Sequence, residues 1–275
     1  MIRAISCDLD GTLLDRNAHI RPASARALLH LSMQGIMVIL ASGRSYRTVV
    51  SIQKKLGFRG PIVAHNGAYG YDTALRQEWH RRPVPAQRAR ELVAWADRND
   101  VMMRCYLGVD QPVLFNHFDL AHQLCWLRPE DRVVPDLART LQSDPLEVFF
   151  TGLDAVDQLT RTFGLRDVDY EFTILPHVGY REVNICAPGV DKVEALEQLV
   201  KIWGIRPDEI LAIGDGLNDV RMLEWAGRSV AVGDGHALAR HAADFVTTPG
   251  YPEPVLEGLA WAFPHYALSA PAKSV

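Results

Sequence analysis

Acids, a lysine and a serine stand at four points of this sequence where short apolar runs break off. The first is Ile5-Ser6-Cys7-Asp8-Leu9-Asp10-Gly11-Thr12-Leu13-Leu14, with two carboxylates one residue apart and then a glycine. If residues 1–7 form a strand, Asp8 and Asp10 leave its carboxyl end on the same side, because strand side chains alternate with a period of two. The others are Ala41-Ser42-Gly43-Arg44, Asp191-Lys192 and Gly214-Asp215-Gly216-Leu217-Asn218-Asp219. Four carboxylates brought to one place (Asp8, Asp10, Asp215, Asp219) repel each other unless a cation lies among them. Carboxylate, carbonyl and water oxygens suit Mg²⁺, which demands octahedral oxygen ligation. With Lys192 and Ser42 added, the set can neutralise and position a phosphoryl group, which is most of what phosphoryl transfer requires.

Each group also has a plainer use. Asp10-Gly11 is a common turn pair, and Ser42 can cap the helix that follows it instead of binding phosphate with the free N–H groups there. Lys192, in the first turn of a helix, faces the positive end of the helix dipole, and it is either a solvated surface lysine or a ligand for an anion.

The elements that must position these residues follow from apolar spacing. Pro22 to Gln34 is expected to be a helix, with Pro22 as its start and Gly35 as its stop. Residues 36–41, apolar throughout, are expected to form a strand buried on both faces, and Ser45 to Leu56 a second helix. Pro61 to Ala64 is a third strand, and the stretch through Trp79 is a hairpin or β-flap. The same grammar returns at Asp191 to Trp203 (helix), Ile210 to Ile213 (strand) and Ser229 to Val232 (strand). Strand, helix, strand implies a parallel sheet, with ligands at the carboxyl ends of its strands.

From Pro83 the rhythm changes. A helix over Arg88 to Asp97, strands over Val101 to Tyr106, Val113 to Phe115 and Leu146 to Thr151, a helix near Leu153 to Phe163, and strands over Tyr170 to Leu175 and Tyr180 to Cys186 lack polar strand exits. We read residues 85–187 as a second, α+β domain inserted into the first, which then comprises 1–84 and 188–275.

Composition excludes several classes. With 48% hydrophobic and 23% charged residues and a net charge of −4, the chain gives no support to a general nucleic-acid or anionic-membrane binder. The longest apolar run near the start, residues 36–41, is far short of the roughly 20 residues of a membrane span. Asp8 and Asp10 fall where the apolar stretch of a signal peptide would lie, so a cytoplasmic location is expected. Cys7, Cys105, Cys125 and Cys186 contain no C-x-x-C pair and are expected to be buried free thiols. His117 and His122, five apart, are poorly spaced as helical metal ligands.

The strings D-L-D-G-T-L-L, A-S-G-R and G-D-G-L-N-D-V-R-M-L, with Lys192 between the last two, resemble the four motifs of the haloacid dehalogenase-like hydrolases, mostly magnesium-dependent phosphatases. His65-Asn66-Gly67-Ala68 is similar to the Cof-type branch, subclass IIB, whose members carry an inserted α+β cap. The resemblance implies a three-layer Rossmann-like core with a parallel sheet, and a cap that sets specificity. It implies a phosphatase for a small phosphomonoester, such as a sugar phosphate, with Mg²⁺ as cofactor. Asp8 would be the nucleophile, forming an aspartyl-phosphate, and Asp10 the acid and base. Ser42, Gly43, Lys192 and Asn218 would hold the phosphoryl group. Asp8, the backbone carbonyl of Asp10, Asp215 and Asp219 would hold the metal. A phosphomutase of the same subgroup and a non-catalytic sugar-phosphate sensor are the alternatives. The sequence departs from the family at Val193, at Asp234 and at Glu253-Pro254, and the last two departures are expected to touch substrate or phosphate contacts. In the insert, the loop Pro176-His177-Val178-Gly179 and Arg181 offer donors for the leaving group, unless Arg181 only pairs with Glu182.

Overall fold

The computed structural model describes residues 1–116, 128–151, 155–163, 171–177 and 180–265. His117, His122 and Cys125 lie outside them. The chain divides into two compact units, one comprising Met1–His80 and Asp191–Val275, the other Arg81–Val190.

The first unit is an eight-stranded sheet. In chain order its elements are β1 (Ala4–Cys7), α1 (Pro22–Met33), β2 (Met37–Ala41), α2 (Tyr46–Leu56), β3 (Pro61–Ala64), β4 (Tyr69–Asp72) and β5 (Gln77–Arg81). After the insertion come a helix (Lys192–Trp203), then strands Ile210–Gly214, Arg228–Ala231 and Phe245–Val246, interleaved with helices Val220–Trp225, Ala237–Ala242 and Pro254–Ala262. β1 lies inside the sheet, parallel to β2 on one side and to Ile210–Gly214 on the other. The pairing of β3 with β4 is antiparallel, as expected for a flap.

Alternation along these short strands fills two cores. Ile5, Cys7, Val38 and Leu40 pack with Leu28, Leu31, Val49, Ile52 and Leu259 on one face. Ala4, Ile39 and Ala41 pack with Leu196, Leu199, Met222 and Leu223 on the other. Helices therefore cover both faces of a mostly parallel sheet, an α/β architecture of three layers.

Helix ends show where the sequence was misleading. α2 starts at Tyr46, and neither Ser42 nor Ser45 caps it through a side chain; the Tyr46 N–H instead donates to Nε2 of buried His65, at 3.1 Å. The N-terminus of α1 is capped from far along the chain. Glu253 accepts from the N–H groups of Ala23 and Ser24, at 3.0 and 2.7 Å, and Ser24 Oγ accepts from the Leu256 N–H in return. Asp234 Oδ2 accepts from the Gly250 N–H. Asp234 and Glu253, two of the residues at which the sequence departs from or flanks a departure from the family pattern, thus make hydrogen bonds within the scaffold.

The second unit has a six-stranded sheet with α3 (Ala86–Arg98), β6 (Met102–Tyr106), β7 (Val113–Phe115), β8 (Arg132–Val133), α4 (Leu137–Thr140), β9 (Glu147–Thr151), α5 (Ala155–Phe163), β10 (Glu171–His177) and β11 (Tyr180–Cys186). Its strand order is β10-β11-β9-β6-β7-β8, antiparallel except for β7 with β8. Its core joins Leu92, Val93 and Trp95 of α3 to Met103, Cys105, Val148, Phe150 and Ile185. Pro176 and His177, expected in a loop, extend β10 opposite Arg181 and Tyr180, because a hairpin this tight carries the ladder to its tip. Cys7, Cys105 and Cys186 are buried free thiols. Among the described residues no helix is long and apolar enough to cross a membrane.

The Glu253 cap is a charge-assisted bond pair at a buried helix end, so Glu253→Ala is expected to cost about 1–3 kcal/mol of stability. Urea unfolding should show that loss while kcat/KM stays within twofold. A large fall in kcat/KM at unchanged stability would return this residue to the substrate.

Candidate active site

β1 ends at Cys7, and the Asp8 N–H still bonds to the Ile213 carbonyl at 2.9 Å, so sheet pairing fixes the backbone of Asp8. Its side chain is 7% exposed. Oδ1 accepts from Lys192 Nζ at 2.6 Å, and the same ammonium donates to Asp219 Oδ1 at 2.6 Å. Lys192 is 1% exposed, which rules out the solvated lysine. It is the first residue of the Lys192–Trp203 helix, whose N-cap Asp191 accepts from the Glu194 N–H at 2.9 Å. Asp191 is paired with Arg221, and its carbonyl lies against Gly67, where a Cβ would meet it at 1.9 Å. At φ +111° that glycine is required twice over.

Beyond Ile210–Gly214 the chain folds back on itself. Asp219 Oδ2 accepts from the N–H groups of Asp215 and Gly216, at 3.0 and 2.9 Å, so one of its oxygens closes the loop and the other holds Lys192. Half-buried Asp215 accepts from Thr12 Oγ1 at 2.8 Å and lies against Gly11, where a Cβ would fall 2.3 Å from Oδ2. Carboxylate oxygens of Asp8, Asp215 and Asp219 all lie within 4.8 Å of one another.

Asp10 does not join them through its carboxylate. That group is 53% exposed and accepts two bonds from Arg44, from Nε at 2.7 Å and from a terminal nitrogen at 2.5 Å. The two acids of the first motif therefore take different partners, Lys192 for Asp8 and Arg44 for Asp10. The backbone turns after Asp8, and a guanidinium from the exit of β2 claims the second acid. Ser42 is buried, with Oγ accepting from the Arg44 N–H at 3.1 Å. Asn218 donates to Asn66 Oδ1 at 3.1 Å, and the same Asn66 oxygen lies where a Cβ on Gly43 would fall. Ser42, Gly43, Asn66 and Asn218 thus stand together beside the acids. Thr12, Arg44 and Asn66 were named in the sequence only as parts of strings; the polar triplet His65-Asn66-Gly67 after a buried strand was the signal for Asn66. The side chains of His177 and Arg181 lie outside the described residues.

Three carboxylates surround one ammonium here. Burial, then Asp219, push the Asp8 carboxyl well above the usual carboxylate range, with Lys192 pulling the other way and Asp215 adding to the rise. Asp215 is pushed up to about 6, chiefly by burial, against the Thr12 hydrogen bond that lowers it. Burial alone would lower Lys192, but Asp219 and Asp8 more than offset it and hold the amine protonated. Such excess negative charge on hard oxygens fits a divalent cation. Octahedral ligation with bonds of about 2.1 Å spans roughly 3–4.2 Å between ligand atoms, close to the spacing present.

The sequence profile of the haloacid dehalogenase-like hydrolases matches residues 5–259. The chain is 28% identical over 271 residues to a phosphoglycolate phosphatase of Methanoculleus marisnigri, across 96% of this chain and 98% of that one. It is 28% identical over 255 residues to a pyridoxal phosphate phosphatase of Escherichia coli, across 89% and 92%. A solved structure from Thermotoga maritima shares the fold with a TM-score of 0.80 at 23% identity, over 100% of each chain.

A carboxyl whose folded pKa is raised binds more protons in the native state than in the unfolded one. Stability then falls as pH rises from about 4 through about 6. Metal-free protein should therefore be more stable at pH 5 than at pH 7 relative to Asp215→Asn, by about 1 kcal/mol after discounting for partial exposure. Urea midpoints of both proteins in chelator measure this, and parallel pH trends would show that Asp215 titrates normally.

Proposed function

This chain is an enzyme of the haloacid dehalogenase-like hydrolase family, and on that premise we propose that it is a magnesium-dependent phosphatase of small phosphomonoesters, with Asp8 as nucleophile. The observation that carries the reading is the buried Asp8 carboxylate at the end of β1, bonded to Lys192 and clustered with Asp215 and Asp219.

Asp8 attacks phosphorus; the new bond is an acyl phosphate, and the bond to the ester oxygen breaks. Asp10 donates a proton to the departing oxygen, then takes one from the water that attacks the phosphorus. Phosphate leaves and Asp8 is restored as a carboxylate. The Lys192 ammonium balances charge that builds on the phosphoryl oxygens, and Ser42, Gly43 and Asn218 donate hydrogen bonds to them. Asp8, Asp215 and the Asp10 carbonyl would hold Mg²⁺, and Asp219, both of whose oxygens have partners, would support them. When bound, Mg²⁺ supplies charge neutralisation and alignment of the phosphoryl group against Asp8.

Residues 85–187 act in this reading as the cap that selects the leaving group, with His177 and Arg181 as candidate contacts. The relatives' names, for phosphoglycolate and pyridoxal phosphate, support a small phosphorylated metabolite as substrate.

Phosphate release across a panel of phosphomonoesters tests the activity. Asp8→Asn is expected to lower turnover at least 100-fold at unchanged or raised stability, since the near-isosteric amide is a poor nucleophile and removes negative charge. Turnover above about a hundredth of wild type would remove Asp8 from that role.

Activity should vanish in EDTA and return with Mg²⁺. Ca²⁺ should restore little, because its looser and larger shell misplaces the attacking oxygen. Full turnover in chelator would show that the acid cluster works without a metal.

A further inference from the structure

Arg44 is held more firmly than an exposed ion pair requires. Its N–H donates to Ser42 Oγ at 3.1 Å, and its carbonyl accepts from the His65 N–H at 3.0 Å; Ser42 and His65 are both buried. Its side chain, only about a third exposed, reaches from the exit of β2 to the exit of β1 and meets both oxygens of Asp10. Exposed ion pairs stabilise proteins by about 0–1 kcal/mol, so stability gives little reason for this arrangement. Two parallel N–H···O bonds do something else, fixing the plane and direction of a carboxylate.

We propose that Arg44 is a positioning residue for Asp10, clamping its carboxylate in the orientation from which it exchanges a proton with the leaving oxygen and with water. This rests on the acid–base role proposed above for Asp10. The clamp uses two of the roughly four lone-pair sites of a carboxylate, so sites remain for the proton in transit. Without it an exposed aspartate rotates among its staggered side-chain wells, and small misplacement of a reacting group lowers rate steeply. Lysine at this position is a poor replacement, because a point charge cannot reproduce the fork.

The test compares Arg44→Ala, Arg44→Lys, Asp10→Asn and the double variant Asp10→Asn/Arg44→Ala. Each is assayed with Mg²⁺ on p-nitrophenyl phosphate, whose leaving group departs without a proton, and on the alkyl phosphomonoester turned over best. kcat/KM isolates the first phosphoryl transfer from the later hydrolysis of the acyl phosphate. The expected result is that Arg44→Ala lowers kcat/KM at least tenfold more on the alkyl ester than on the nitrophenyl ester, and that Arg44→Lys restores less than half of the loss. In the Asp10→Asn background Arg44→Ala should add less than twofold, and free guanidinium ion should rescue the single variant but not the double. Equal losses on both esters would make Arg44 a ligand of the phosphoryl group and overturn the proposal. So would additive losses in the double variant, or no loss in either single Arg44 variant while melting temperatures are unchanged. If Asp10→Asn itself hydrolyses the alkyl ester at the wild-type rate, the acid–base assignment falls and the clamp with it; an Asp10→Asn defect without an Arg44 defect removes the clamp alone.

Discussion

One ammonium group, that of Lys192, ties together three parts of the first unit. It bridges Asp8, 184 residues earlier in the chain, and Asp219, 27 residues later, at 2.6 Å each. Burying a lysine costs several kcal/mol in desolvation, and two short charge-assisted bonds are what make it tolerable here. The dependence is mutual. Without Lys192, Asp8 and Asp219 would be buried carboxylates facing one another, a defect worth about 3–5 kcal/mol in comparable cases. The scaffold around the lysine has the same purpose. Asp191 caps its helix, Arg221 pairs with Asp191, and Gly67 lets the backbone pass close to the Asp191 carbonyl.

The topology explains why these residues meet. β1 is flanked by two parallel partners reached by connections on opposite sides, so chain exits diverge around its carboxyl end, the position at which open α/β sheets bind ligands. Asp8 comes from β1, Ser42 and Arg44 from the exit of β2, Asn66 from that of β3, and Asp215 with Asp219 from that of Ile210–Gly214. Each exit is short, and three of the contacts depend on a missing side chain at Gly11, Gly43 or Gly67. Close approach of backbone to neighbouring oxygens is therefore as much a part of the site as the charges.

In the second unit the same alternation gives a different result. Met103, Cys105, Val148 and Phe150 face the helices, so Arg104 and Phe149 occupy the opposite face of that sheet. The Arg104 guanidinium lies 4.1 Å from the centre of the Phe149 ring, and Asn184 is the register partner of Phe149 on the adjoining strand. Arg104, Glu147 and Asn184 are all buried. The single charged residue in each of the otherwise largely apolar strings M-M-R-C-Y and E-V-F-F-T was the trace of this face in the sequence. The hairpin tip, by contrast, is rich in proline and glycine, the composition of a loop.

What was legible in the sequence was local, and what was missed was a choice between partners. Short apolar runs ending in polar residues identified the central strands of the first unit to within a few residues, since burial on both faces leaves little else such runs can do. Two-residue β8 and the four-residue helix Leu137–Thr140 were not foreseen, as neither is long enough to show a period. The sharper contrast is between the two aspartates of the first motif. Period-two alternation puts Asp8 and Asp10 on the same side, but β1 ends at Cys7, and beyond it their carboxylates take different partners. Once the backbone turns, each acid goes to the nearest cation. Lys192 reaches Asp8 from the start of a buried helix, and Arg44 reaches Asp10 from the exit of β2. Both cations stand in recognisable strings of the sequence, but no spacing between residues 8 and 192, or 10 and 44, tells which acid each will meet. That assignment is made by strand order, and it separates a buried carboxylate bonded to an ammonium from an exposed one held by a fork.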